Sequence, residues 1–87
     1  MINVDDVRSK NYDRNIEREG WGTDGRDNCI LCGRIIEDTT HWIRMTVFGE
    51  LVEPDAEVPE ANDQGCFPVG SGCLRKHPQL RGIVTQP

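Results

Sequence analysis

The sequence predicts a small α+β domain held together by a metal ion, and three observations lead to this class. The chain has only 87 residues. Cys29, Cys32 and Gly33 form a Cys-x-x-Cys-Gly knuckle, and residues 73–77 supply further candidate ligands. Between them lies a segment with the alternation of a β-strand. A chain this short buries only about 60% of the surface exposed by its unfolded form, so a metal ion is the usual supplement to its core.

The first 28 residues are polar, with charges of both signs. We expect residues 1–28 to be partly flexible, with a short helix around residues 5–19. Trp21 stands out because it lies among glycines. A tryptophan in such a place either pins the segment onto the core or binds a partner. The metal-binding domain is predicted over residues 29–80, and residues 81–87 are predicted to form a C-terminal tail.

A β-hairpin is predicted after the knuckle. Residues 41–48 alternate, which indicates a strand with β-branched and aromatic residues. One face would carry Ile43, Met45 and Val47, and the other Trp42, Arg44, Thr46 and Phe48. Gly49 and Glu50 then turn the chain into a second strand at Leu51 and Val52.

The second half of the chain predicts a loop, an edge strand and a short helix. Residues 53–65 are acidic and contain two prolines, which is typical of a loop. Residues 66–69 read as a short edge strand, because Pro68 has no N–H to donate to a neighbouring strand. A helix is predicted to begin near Gly72 or Cys73, with Ser71 as its N-cap, and to end by Pro78 or shortly after it.

The ligand pattern points to one structural Zn²⁺ ion. Zinc takes four nitrogen or sulfur ligands in a tetrahedron, and Cys29, Cys32 and Cys73 supply three of them. We expect His77 to be the fourth, because it lies four residues after Cys73 and would share its helix face. Cys66 is the alternative, although an extended strand would place it on the order of 10 Å from Cys73. Knuckle, hairpin and ligand-bearing helix together predict a treble-clef-like or zinc-ribbon-like finger.

The same four cysteines could instead form two disulfides, so the compartment matters. Residues 1–6 lack a basic start followed by an apolar stretch, and we therefore expect no signal peptide. No apolar run approaches the roughly 18 residues of a membrane span. A cytoplasmic protein is expected, and its reduced thiols favour metal over disulfides.

The charge balance favours a protein partner over nucleic acid. The chain has fifteen acidic and ten basic residues, which gives a formal net charge of −5. Residues 50–63 hold six acids and no base. A nucleic-acid-binding finger, the alternative function, would depend on Arg75, Lys76 and Arg81, too few for more than weak binding. The candidate partner-binding residues are Trp21, Trp42, Arg44, Glu53, Asp55 and Glu57.

An enzyme is not expected. Catalytic zinc sites keep an open position and place a carboxylate base nearby, as in His-Glu-x-x-His or the deaminase motifs. Neither pattern occurs in this chain. A treble-clef nuclease would need a histidine base apart from its structural cysteines. Only His41 and His77 are present, and His77 is assigned to zinc.

Residues 29–78 resemble a family of short bacteriophage proteins, found especially in phages of actinobacteria. The resemblance is carried by the Cys29-Ile-Leu-Cys32-Gly33-Arg34 knuckle and by the segment 65–76, in which Gly-x-aromatic-Pro-Val-Gly-x-x-Cys precedes basic residues. It implies a small zinc-finger-like accessory protein in the cytoplasm of the infected host, and it points to no particular activity. We therefore expect an adaptor or modulator that binds a host or phage protein.

Overall fold

The computed structural model describes residues 2–85 and has the predicted small α+β architecture. Short 3₁₀ turns occupy Thr23–Gly25, Glu60–Asn62 and Pro78–Leu80. The strands and α-helices follow one another as β1 (Ile2–Asn3), α1 (Val4–Val7), α2 (Tyr12–Glu19), β2 (Asp27–Asn28), β3 (Ile35–Ile36), β4 (Trp42–Thr46), β5 (Glu50–Val52), β6 (Asp63–Pro68), α3 (Ser71–Lys76) and β7 (Val84–Thr85).

The main sheet is antiparallel and built around β4. One edge of β4 pairs with β6 from Trp42 opposite Pro68 to Thr46 opposite Asp63. Its other edge pairs with two strands, β7 at residues 42 and 43 and β5 at residues 44 and 45. β1 extends the sheet beyond β5. The predicted hairpin and the predicted edge strand are both present.

The alternation of β4 is followed as far as Met45. Ile43 and Met45 are buried in the core. The register against β6 then shifts between Met45 and Thr46, where β4 ends. Val47 lies in the turn that follows, so its predicted inward placement is wrong, and it is 51% exposed. Thr46 is buried, and its hydroxyl accepts from the N–H groups of Phe48 and Glu50 at 3.2 and 3.3 Å. These bonds stabilise the hairpin turn, in which Phe48 is 67% exposed.

The N-terminal segment packs against the rest of the molecule. It contributes β1, α1, α2 and β2, with a capping box at Asn3 starting α1. Val4 and Val7 are buried and belong to the same hydrophobic core as Leu51. The Ser9 N–H donates to the Leu31 carbonyl at 2.8 Å, which joins the segment to the knuckle. At the other end, Val84 and Thr85 of the predicted tail pair with β4, and residues 86 and 87, like Met1, lie outside the described residues.

The short helix α3 begins at Ser71, one residue before Gly72, the earlier of the two predicted starts. Its N-cap is Gly70, with extended backbone, and Ser71 is already the first helical residue. The prediction that Ser71 caps the helix is therefore wrong. The helix ends at Lys76, and His77 has φ −127° and ψ 72°, outside the helical region. This ending follows from Pro78, because a proline disfavours helical backbone in the residue before it.

The longest helix, α2, has eight residues. Within residues 2–85, none of the helices combines the length and the apolar composition that a membrane crossing requires.

Candidate metal centre

The first two cysteines lie on a tight turn between β2 and β3. These strands pair Asn28 with Ile35, and the Cys29 N–H donates to the Arg34 carbonyl at 2.8 Å. The Gly33 N–H closes the turn by donating to the Cys29 carbonyl at 2.8 Å. Gly33 has φ +78°, and a Cβ there would lie 2.6 Å from the carbonyl oxygen of Tyr12. Both the backbone conformation and the packing of α2 therefore require glycine.

The third cysteine is brought to the knuckle by β6 and α3. The Ile30 N–H donates to the Pro68 carbonyl at 2.9 Å, so the end of β6 lies against the knuckle. The chain then passes Gly70 and enters α3, whose first turn holds Cys73. As a result, the sulfur atoms of Cys29, Cys32 and Cys73 all lie within 4.8 Å of one another.

The sulfur geometry fits a tetrahedral zinc ion. With Zn–S bonds of about 2.3 Å, two sulfurs at the corners of a tetrahedron are about 3.8 Å apart. The Cys29 and Cys73 sulfurs are 3.7 Å apart, close to that value and far longer than a disulfide bond. All four cysteines of the chain are free thiols. The three clustered cysteines can therefore hold a metal ion.

The surroundings of Cys29 stabilise a thiolate. Thiol hydrogen bonds from Cys32 and Cys73, helped by the Gly70 N–H at 3.3 Å, lower the pKa of Cys29 to about 2 despite its burial. The same sulfur–sulfur hydrogen bonds raise the pKa values of Cys32 and Cys73, which act as donors to Cys29. A bound cation would displace the remaining protons.

The two candidates for the fourth ligand lie outside this cluster. Within the described part of the chain, neither His77 nor Cys66 joins the group of mutually close ligand atoms. His77 has left the helix, so it no longer shares a face with Cys73 in the way that two helical residues four apart do. Cys66 is exposed, and it pairs with Arg44 on β4, whereas its neighbour Phe67 packs against the core. Strand alternation thus directs Cys66 to the opposite face of the sheet.

Three polar side chains that sequence reasoning missed hold the knuckle in place. Asn15, buried on α2, donates to the Cys32 carbonyl at 2.8 Å. Asn28, also buried, donates to the carbonyls of Gly33 and Gly20. The Glu19 carboxylate accepts from the N–H of Ile35 at 3.0 Å. Polar residues scattered through a polar segment form no periodic pattern, and only the position of Asn28 directly before Cys29 offered a signal.

A cavity of about 380 Å³ adjoins the three cysteines. The knuckle, the first turn of α3 and the segment around α2 form its wall. Two cations, Arg34 and Lys76, line it together with Asn11, Asn15 and Ser71. No Asp, Glu or His is among the described residues that line this cavity.

The candidate partner-binding residues occupy different environments. Trp21 is 66% exposed, and it is the Asn28 side chain that fixes this loop, by accepting from the Gly22 N–H at 2.9 Å. Trp42 is half-buried on β4. Arg44 holds the acidic loop, since its guanidinium donates to the carbonyls of Pro54 and Ala56 and pairs with Asp63 at 3.1 Å. The remaining candidates, Glu53, Asp55 and Glu57, are exposed.

The basic residues of the nucleic-acid alternative are exposed but do not line one surface pocket. Arg75 and Arg81 line a cavity of about 400 Å³ with His41 and Leu74. Lys76 lines the cavity beside the cysteines instead.

Comparison of the chain with protein-family models, with curated protein sequences and with solved structures gave no match.

Proposed function

We propose that this chain is a small structural-zinc protein that acts as an adaptor, or modulator, of another protein. The observation that carries the proposal is the meeting of the Cys29, Cys32 and Cys73 sulfurs within 4.8 Å. One ion there would tie the N-terminal half of the chain to α3. The order of knuckle, hairpin and ligand-bearing helix supports a treble-clef-like finger.

Zinc is the ion that the donor set favours. Three thiolates select soft or borderline metals, and zinc has no redox chemistry and tolerates tetrahedral sites of mixed ligands. Zinc binding to finger peptides is worth on the order of 10 kcal/mol, comparable to the whole stability of a small domain. The metal-free chain should therefore be largely unfolded.

The surface that suits a protein partner lies beside the hairpin turn. A cavity of about 220 Å³ is lined by apolar Phe48, Val52 and Val58 together with the acids Glu50 and Glu57. Exposed aromatic residues next to a cleft are typical of interaction sites, and the acidic rim selects basic residues in the partner. The partner proposed is therefore a protein segment with an apolar side chain flanked by Lys or Arg. The resemblance to phage proteins makes a host or phage protein the natural source.

Paired charge reversals test the adaptor function. The zinc-loaded chain is immobilised, bound proteins are captured from host lysate, and the captured species are identified by mass spectrometry. Glu53→Lys combined with Glu57→Lys should abolish capture of the specific partner. Glu17→Lys combined with Asp38→Lys changes the net charge equally at exposed sites elsewhere and should leave capture intact. Equal capture by both variants would contradict the proposed surface.

A nucleic-acid-binding finger remains the rival from another class. The exposed Arg75 and Arg81 favour it, because they line one cavity and could contact one phosphate backbone. The acidic residues of the 53–63 loop oppose it, since they repel the same backbone.

A further inference from the structure

We propose that the fourth coordination position of the metal is filled from outside the chain, by a thiolate. The inference rests on the proposed zinc site and goes beyond it by naming the ligand class. The thiolate would come either from a low-molecular-weight thiol or from a cysteine of the partner protein, since both offer the same donor atom.

The first step is that no other Cys, His, Asp or Glu among residues 2–85 joins the three cysteines. Cys29, Cys32 and Cys73 form a group of three among residues 2–85, and His77 and Cys66 are not in it. Cys66 lies on β6, next to Phe67, which packs against the core. The side chain of Cys66 is therefore on the opposite face of the sheet. His77 follows the end of α3 in a non-helical conformation. A tetrahedral ion bound to three protein ligands keeps one position for an external donor.

The second step is access. The cavity of about 380 Å³ is bounded by all three cysteines, so a ligand inside it can reach the metal. A water molecule takes about 30 Å³ of liquid volume, so the cavity has room for a small organic molecule or one side chain. Asn11, Arg34, Ser71 and Lys76 on its wall are solvent-exposed, which makes it reachable from outside.

The third step is charge. Three thiolates and one Zn²⁺ sum to −1, and a fourth thiolate gives −2. The Arg34 and Lys76 side chains on the cavity wall offset this negative charge. A metal-bound water would serve hydrolysis only with a proton acceptor beside it, and no Asp, Glu or His lines the described wall of the cavity. A soft sulfur donor also matches the three thiolates already present.

The binding step is a ligand exchange without redox change. The incoming thiol releases its proton to solvent, its sulfur lone pair forms the metal–sulfur bond, and the water in the fourth position leaves. Affinity for the thiol should therefore rise with pH until the free thiol is ionised.

The test uses the full chain loaded with Co²⁺, whose sulfur-to-metal charge-transfer band reports the number of bound thiolates. Titration with 2-mercaptoethanol should increase this band and saturate, whereas ethanol should have no effect. The response should persist in His77→Gln and in Cys66→Ser. Lys76→Gln should weaken the affinity for 2-mercaptoethanol by about fivefold, the size expected for one partly screened charge, and Lys10→Gln should not.

The outcomes separate this inference from the zinc proposal. Failure of the wild type to bind Co²⁺ would overturn the metal centre itself. If the wild type binds one Co²⁺ but its charge-transfer band does not respond to the thiol, this inference alone is overturned. A band that then responds only in His77→Gln or Cys66→Ser would show that the protein supplies the fourth ligand. A short peptide with one cysteine distinguishes the sources, because tighter binding of the peptide than of 2-mercaptoethanol assigns the position to a partner protein and the reverse assigns it to a small thiol.

Discussion

The sulfur atoms of Cys29 and Cys73 lie 3.7 Å apart although 44 residues separate them in the chain. Their short separation depends on the main sheet, because the pairing of β6 with β4 places Pro68 and Gly70 next to the knuckle. The Gly70 N–H also donates to the Cys29 sulfur at 3.3 Å. The sheet thus positions the ligands, and a bound ion would in turn stabilise the sheet.

The first prediction concerns the glycine of the knuckle. Gly33→Ala should lower the free energy of unfolding by about 3 kcal/mol, because a left-handed backbone and a clash with the Tyr12 carbonyl both oppose a Cβ. Gly25→Ala is the matched control, since Gly25 has φ +75° and nothing within 4 Å of the added atom. It should lose only about 1 kcal/mol. Denaturant unfolding at a fixed concentration of free zinc measures both. Equal losses would show that α2 does not pack on the knuckle as described.

The second prediction concerns pH and the acidic loop. The Arg44 guanidinium, assisted by the Gly65 N–H, lowers the pKa of Asp63. A carboxyl whose pKa is lowered by folding adds stability above its unfolded pKa, about 3.9, and this contribution is lost as the pH falls through the folded pKa. In Arg44→Gln, the pKa of Asp63 should return towards its ordinary value. NMR titration of the Asp63 carboxyl carbon measures the shift, and identical pKa values in the two proteins would contradict the ion pair.

The third prediction concerns nucleic acid. Each phosphate neutralised contributes a slope of about −0.9 to the dependence of log affinity on log salt. The basic cluster offers Arg75, Lys76 and Arg81, and Lys76 lines a different cavity from the two arginines. Fluorescence anisotropy should therefore detect only weak binding to duplex DNA, erased at physiological salt. Tight binding under those conditions, lost in Arg75→Gln combined with Lys76→Gln, would favour the nucleic-acid alternative over the adaptor.

The parts of the fold that were predictable are those with a local pattern. The hairpin followed from the alternation around Ile43 and Met45, and the knuckle from the spacing of Cys29 and Cys32. The end of β4 at Thr46 has no such signature, and the predicted inward placement of Val47 is therefore wrong, because Val47 lies in the turn. The role of Asn15 could not be predicted either, because a single long-range hydrogen bond produces no periodic pattern in the sequence.

The position of His77 could have been predicted from its neighbour. The expectation that His77 shares a helix face with Cys73 assumes a helix that continues through residue 77. Pro78 opposes helical backbone in the preceding residue, and α3 indeed ends at Lys76. Spacing alone therefore made this helix one residue too long, and His77 as the fourth ligand stays a prediction.

The metal content of the purified chain tests the central claim most directly. Native mass spectrometry should show one zinc ion per chain, lost in Cys73→Ser and retained in Cys66→Ser, because Cys73 belongs to the sulfur cluster and Cys66 does not. Removal of the ion with a chelator should abolish the near-UV circular dichroism of the folded protein. A metal-free chain that keeps its folded spectrum, or a zinc ion that depends on Cys66 and not on Cys73, would contradict the account.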